Sequence, residues 1–407
     1  MTTLVNATEM NRGWFARFAP RKLTSSASAH LDMIRALAAW AVMWGHVRGH
    51  FFADYQKVRD KSPALDFLYF CTGFGHQAVM VFFVLSGFLI SSSIVQSLAS
   101  GRWSWREYAI NRSSRLYAVL IPGLLLGLLW DKLGISLFSA SGVYSHPLKD
   151  FGSAIAQNQL TFSAFVGNLF FLQTILCPTF GSNGPLWSLA NEFWYYVLFP
   201  LALAGGIGWA KRTWPRAVTL TLLAACLTVF LGWDKFVGFL VWLAGCSLVL
   251  AYSRFTITSR RRVYIYALFS SILLGASLLS ARLGGWTMIG SDLAVGCAFA
   301  LFLFGIVHLD FGSSSDIYRR GAQLFAGFSY SLYVLHFPLV MFLRAWIAPP
   351  ERWQPDGLHL LYGAAIGILV LSFTWAVSTF TESKTGVLRK WMRSRLTARS
   401  VKTRELA

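Results

Sequence analysis

Ten apolar stretches recur along the 407-residue chain, at 31–49, 73–97, 115–132, 186–208, 217–233, 236–252, 263–281, 291–309, 323–343 and 358–381. A helix needs about 20 such residues to cross a hydrocarbon core of roughly 30 Å. Lipid offers no partners for open backbone groups, so segments of this kind fold as helices. A further apolar stretch, 160–177, is interrupted by Gly167, Asn168 and Gln173. It reads as an interfacial or partly inserted helix, with an eleventh span as the alternative. The expected fold is all-α: a polytopic membrane helix bundle of about ten transmembrane helices. Composition agrees. Charged residues make up 13% of the chain and hydrophobic residues 55%, where soluble domains carry about 25% charged residues. A mean hydropathy of +0.52 excludes a soluble body of this size, and the aromatic and aliphatic content excludes disorder.

The net charge of +19 would suggest nucleic acid in a soluble protein. Here the loops account for it. With the N-terminus in the cytoplasm, 25 of the 36 Lys and Arg fall on the inner side and 10 on the outer. That is the positive-inside bias, and it predicts both termini in the cytoplasm and no nucleic-acid partner. Three parts are expected: a basic N-terminal tail (1–30), a transmembrane domain (31–381) and a basic C-terminal tail (382–407) that faces lipid headgroups. Residues 1–30 lack the pattern of a cleavable signal. The five cysteines show no CxxC or Cys/His metal spacing. Cys71 and Cys177 both map to the outer side, where a disulfide is one option.

The first span carries Asp32, Arg35, His46 and His50. At about 100° per residue, Arg35 and His46 differ by only some 20° around the helix axis, and Asp32 and His50 lie on the same side. Ionisable groups inside a span cost roughly 2.5–3.5 kcal/mol each on insertion scales, so a stripe of them implies a polar cavity or pathway. Charges snorkelling at the helix ends are the plain explanation for Asp32, Arg48 and His50, but Arg35 and His46 lie deeper. His46 and His50 have the spacing of a two-imidazole metal site, with no third ligand nearby, so no metal is expected. Ser86-Gly87 lacks a nucleophile elbow and reads as close helix packing. Gly123 and Gly127 read the same way. Arg112 and Arg115 share a helix face at the mouth of the third span, where they can grip phosphates or supply ordinary inner-side charge. Glu192 sits inside an apolar helix and needs a cation or a hydrogen-bond network. Asp292 and His308 read as helix capping. Tyr333 and His336, three residues apart, give the ninth span a polar edge suited to a structural or a substrate-groove role.

Taken in order, LDMIRALAAWAVMWGH, FFVLSGFLIS, RSSRLY, GPLWSLANEFWYYVLFPL and SYSLYVLHFPL resemble the segments of the membrane-bound acyltransferase family 3. The resemblance covers residues 31 to about 340. It implies an integral membrane O-acyltransferase of the bacterial inner membrane, in the form without a fused esterase-like domain. Such an enzyme carries an acyl group, usually acetyl, from cytoplasmic acyl-coenzyme A to a hydroxyl of an envelope carbohydrate or glycolipid. Lipopolysaccharide and exopolysaccharide are among the possible acceptors. The resemblance places the catalytic histidine on His46 and the acidic residue of the fourth segment on Glu192. It places coenzyme handling on Arg112 and Arg115, with Arg35 as the arginine of the opening segment. Asp32, Tyr333 and His336 are the expected substrate-side residues. Phe193 stands where a second acidic residue is common in the family, so a paired-carboxylate role for Glu192 is not expected.

These readings combine into one mechanism. Acetyl-coenzyme A docks on Arg112 and Arg115, and neutral His46 takes a proton from the acceptor hydroxyl. An acyl-imidazole on His46 is the competing route. A transporter or flippase for a glycan precursor or small metabolite is the rival function, because intramembrane charges also mark transport pathways. Transporters usually show inverted repeats, and none is visible in this sequence.

Overall fold

The computed structural model describes residues 15–146, 155–284, 286–309, 315–348 and 351–405, with side chains of the last helix described as far as Leu396. Among these residues the chain is helical, with isolated bridges Phe52–Trp353 and Gln173–Cys177 in place of strands. The helices are α1 (Ser25–Phe51), α2 (Pro63–Cys71), α3 (Gly75–Ala99), α4 (Trp105–Leu137) and α5 (Phe162–Leu169). They continue as α6 (Leu186–Ala210), α7 (Trp214–Leu231), α8 (Trp233–Arg254), α9 (Arg260–Leu283) and α10 (Met288–His308). The last four are α11 (Asp316–Ala326), α12 (Ser329–Ile347), α13 (Gly357–Phe380) and α14 (Thr385–Glu405).

Nine helices among the described residues are long and apolar enough to cross a membrane. The protein is therefore a polytopic helical membrane protein, with a count one below the ten expected. The difference lies in α1, which is long enough at 27 residues but is interrupted by Asp32, Arg35, His46, Arg48 and His50. It also starts at Ser25, inside the stretch read as a tail. The ambiguous 160–177 stretch resolves into the eight-residue α5, which is too short to be an eleventh span. Its first turn is capped by Thr161, whose Oγ1 accepts from Ala164 N at 3.1 Å. The stretch read as a C-terminal tail contains α14. All five cysteines are free thiols, Cys71 and Cys177 included.

The chain divides into two compact units. The first takes in the chain up to Ala38, Phe74–Trp103 and Ser188–Phe325, and the second takes in Ala39–Gly73, Ser104–Trp187 and the chain from Ala326 onward. Within the first, α3 crosses α8 at two glycines. A Cβ on Gly87 would lie 3.0 Å from the Trp242 carbonyl carbon, and one on Gly245 would lie 2.9 Å from Phe88 N. Backbone meets backbone here, so small residues set the approach, as the sequence reading expects. Gly87→Leu and Gly245→Leu should each cost at least the ~1–3 kcal/mol typical of overpacking. Thermal unfolding of the purified protein checks this, and an unchanged Tm would contradict it.

Within the second unit, α4 packs on α12. Gly123 faces Val334, and a Cβ on Gly127 would lie 3.5 Å from Pro338. A buried apolar cluster of Tyr144, Ala156, Phe337, Met341 and Ala345 surrounds the middle of α12. Asp356 caps α13, its Oδ1 accepting from His359 N at 2.9 Å. That backbone bond, helped by the His359 side chain, holds the Asp356 carboxyl below the usual carboxylate range.

Candidate functional site

The second unit brings together two histidines that lie 290 residues apart in sequence: His46 Nδ1 is 2.8 Å from His336 Nε2. The rings are nearly parallel, with centroids 5.1 Å apart, and the edge of Phe337 meets both His46 and His50. His336 has no exposed surface (0%), and its Nδ1 lies 2.9 Å from the Leu332 carbonyl.

These contacts assign the protons. A carbonyl oxygen only accepts, so His336 Nδ1 carries a hydrogen. Burying an imidazolium without a paired carboxylate is costly, so the ring is neutral and its Nε2 holds a lone pair. His46 must then donate from Nδ1, and its own lone pair resides on Nε2. The second ring thereby selects the tautomer of the first, a role that a neighbouring hydrogen bond commonly plays for histidine.

Helix α12 is itself braced at this level. Pro338 has no N–H to give the Val334 carbonyl one turn back. Asn183 fills the gap, its Nδ2 donating to Val334 O at 2.9 Å. Asn183 belongs to a loop pinned by Asp131, a 1%-exposed side chain. Asp131 accepts from Ser182 N at 2.7 Å and from Ser182 Oγ at 2.6 Å. Gly181, with φ +59°, leaves room for that carboxylate, because any Cβ there would collide with it. Tyr333 donates to Pro185 O at 3.3 Å. Tyr333 and His336, expected on the substrate side, are thus buried and bonded within the protein. Asp131 and Asn183 escape a sequence reading. Only the proline one helical turn beyond Val334 signals that an outside donor is needed there.

Arg115 and Arg112 lie one turn apart on α4. The Arg115 guanidinium lies over the ring of Tyr330, 5.5 Å from its centroid, and Arg112 over that of Tyr108 at 5.6 Å, both in the cation–π range. Tyr330 opens α12. Beside it, Glu382 accepts from both the N–H and the hydroxyl of Ser331 at 2.8 Å, so a carboxylate caps the positive end of the helix. From Tyr330 to His336 the helix rises about 9 Å. Arg115, through Tyr330, and His46, through His336, therefore both pack against α12.

The remaining expected residues belong to the first unit. Glu192 meets the hydrogen-bond requirement with hydroxyls. Tyr196 donates to its Oε1, Ser86 does so at 3.2 Å, and Trp242 Nε1 in turn donates to Ser86 Oγ at 3.2 Å. Ser86, read only as a packing residue, is part of this network. Asp32 and Arg35 form an ion pair at 2.7 Å within α1. Asp292 pairs with His76 at 2.8 Å rather than capping its helix, and His308 Nδ1 donates to Phe304 O at 2.8 Å. Among the described residues, no group of three or more His, Cys, Asp or Glu is placed to hold a metal ion.

Fold and site define an integral membrane protein in which α12 carries one of two paired imidazoles and also packs, through Tyr330, against the arginine-bearing α4. The acyltransferase domain that defines the acyltransferase 3 family matches residues 28–379, and the chain belongs to that family. The chain is similar to the "Putative peptidoglycan O-acetyltransferase YrhL" of Bacillus subtilis, with 28% identity over 163 residues, 39% of this chain and 24% of that protein. It is also similar to an uncharacterized protein of Haemophilus influenzae, with 31% identity over 127 residues, 30% of this chain and 47% of that protein. The match thus spans about a quarter and about half of these relatives' lengths. No solved structure is a significant match to the chain.

Proposed function

We propose that the protein is an O-acyltransferase of the bacterial inner membrane that moves an acetyl group from acetyl-coenzyme A to a hydroxyl of an envelope carbohydrate. The observation that carries this reading is the pair of imidazoles, with His46 fixed in the tautomer whose Nε2 is basic. The arginine pair of α4, one of whose members stacks on Tyr330 of α12, supports it, because two guanidiniums on one helix face suit the phosphates of a coenzyme. The name of the Bacillus relative supports a carbohydrate acceptor of the cell envelope.

In the reaction, the acceptor hydroxyl gives its proton to His46 Nε2 as its oxygen attacks the thioester carbonyl carbon. The new C–O ester bond forms, the C–S bond breaks, and the departing thiolate takes up the proton from the imidazolium. His336 stabilises that imidazolium by accepting from Nδ1 throughout. Glu192, bonded to two hydroxyls, and the Asp32–Arg35 pair supply fixed charge within the first unit. In this reading Arg35 serves coenzyme handling and Asp32 the acceptor side.

The test is whether purified protein, in the presence of envelope glycans, converts acetyl-coenzyme A to free coenzyme and an acetyl ester. Glycan movement with no ester formed would instead identify a transporter. Arg112→Gln and Arg115→Gln should each raise the apparent KM for acetyl-coenzyme A about tenfold, the scale of one charge-assisted hydrogen bond, with kcat little changed. An unchanged KM in both variants would remove the arginines from coenzyme binding.

A further inference from the structure

Pro338 interrupts the hydrogen-bond ladder in the buried middle of α12, and a helix bends most readily where a proline removes such a bond. Val334 and Pro338, one turn apart, share a face of α12 that packs on Gly123 and Gly127 of α4. His336 lies about 200° around the axis from Val334, on the opposite side of the helix. There its Nε2 meets His46 Nδ1 at 2.8 Å. A change of bend across residues 334–338 therefore displaces the imidazole that sets the His46 tautomer.

One loop controls that bend. Asn183 Nδ2 donates to the Val334 carbonyl at 2.9 Å, in place of the N–H that Pro338 lacks. Two residues further on, Pro185 O accepts from the Tyr333 hydroxyl at 3.3 Å. The same loop is tied to α4, where Asp131 accepts from both the N–H and the hydroxyl of Ser182. Asn183 is 1% exposed, and its Oδ1 has no hydrogen-bond partner among the described residues. A buried acceptor in that state is uncommon and carries a cost, which a leucine of similar volume would avoid. What the amide contributes here is its donor.

From this arrangement we propose that Asn183 is a positioning residue of the transfer reaction. Its amide fixes the course of α12 across Pro338, and with it the place where His336 Nε2 meets His46 Nδ1, while Asp131 holds the loop that carries it. The inference rests on the reading of His46 as the base. It gives the loop at 180–185 a part in the reaction that is exerted through α12 and not on the reacting atoms.

The test uses the full chain in nanodiscs and reads two quantities for Asn183→Leu. The first is the tautomer of His46, followed by NMR of isotope-labelled histidine as the Nδ1–H signal that His46→Ala removes. The second is the rate of acetyl-coenzyme A consumption. Asn183→Leu should mix the tautomers and lower kcat about ten- to hundredfold with KM little changed, the scale of a small misplacement of a reacting group. Added to Pro338→Ala, which restores an N–H for the Val334 carbonyl, Asn183→Leu should cost less than about threefold relative to Pro338→Ala alone. A parental tautomer and parental kcat with only a lower Tm would make Asn183 a structural residue and overturn the proposal. A loss of about tenfold that persists in the Pro338→Ala background would overturn it too. If the tautomers mix while kcat stays parental, the positioning stands and the reading of His46 as the base fails. Should Asn183→Leu lose its monodisperse elution, Asn183→Ser, whose hydroxyl is too short to span the gap to Val334, decides by the same two measurements.

Discussion

His46→Ala is expected to abolish acyl transfer while leaving the protein inserted and folded. Positioned general bases contribute about 10²- to 10⁴-fold in rate, and this is the role proposed for His46. The substitution leaves a small space beside Phe337 and His336, and the fold should survive it. Acetyl-coenzyme A consumption measured beside size-exclusion elution separates the two effects. Transfer within a few-fold of the parent would take His46 out of the chemistry.

His336→Phe is expected to have the second largest effect. Phenylalanine keeps the ring volume in a fully buried position but cannot accept from His46 Nδ1. His46 then loses both the bond that fixes its tautomer and the acceptor that stabilises its charged form. Losing a tautomer-fixing partner costs up to about 10⁴-fold in kcat where it has been dissected, and a loss of about 10²-fold or more is expected here with little change in KM. His336→Gln, whose amide oxygen can accept, should recover part of the rate. A merely structural role predicts otherwise: a lower Tm, with the surviving protein turning over normally and Gln no better than Phe.

The two histidines show how much of the site a linear reading can reach. His46 is conspicuous because an ionisable group costs energy in a span, and His336 because it interrupts an apolar run. Their contact is not visible, since hydropathy carries no information about which spans meet. His336, read from sequence as suited to a structural or a substrate-groove role, is buried and bonded to His46. Glu192 is similar: its need for a hydrogen-bond network follows from its position, but Ser86 and Tyr196 as the donors do not. Asp131 and Asn183 give no signal in the sequence because their partners, Ser182 and the Val334 carbonyl, come from a loop and a helix far away in the chain. The Val334 carbonyl is in need only because Pro338 follows it by one turn.

The helix inventory has the same division. The long apolar stretches become helices because each carries its own period and its own hydrophobicity, and these are local properties. Where local signals conflict, the outcome is set elsewhere. The stretch 160–177 shortens to an eight-residue helix because its remaining residues serve a loop, with Asn168 Nδ2 donating to Pro178 O at 2.8 Å and Gln173 Nε2 donating to Leu186 O at 2.9 Å. The basic end of the chain likewise becomes part of α4's surroundings through Arg389 and Arg393. What the order of amino acids determined was membrane residence, helical spans and the few polar groups too costly to be idle. What the tertiary structure decided was which of those groups meet, because hydrogen bonds such as His46–His336 and Arg389–Ser114 depend on packing between helices hundreds of residues apart.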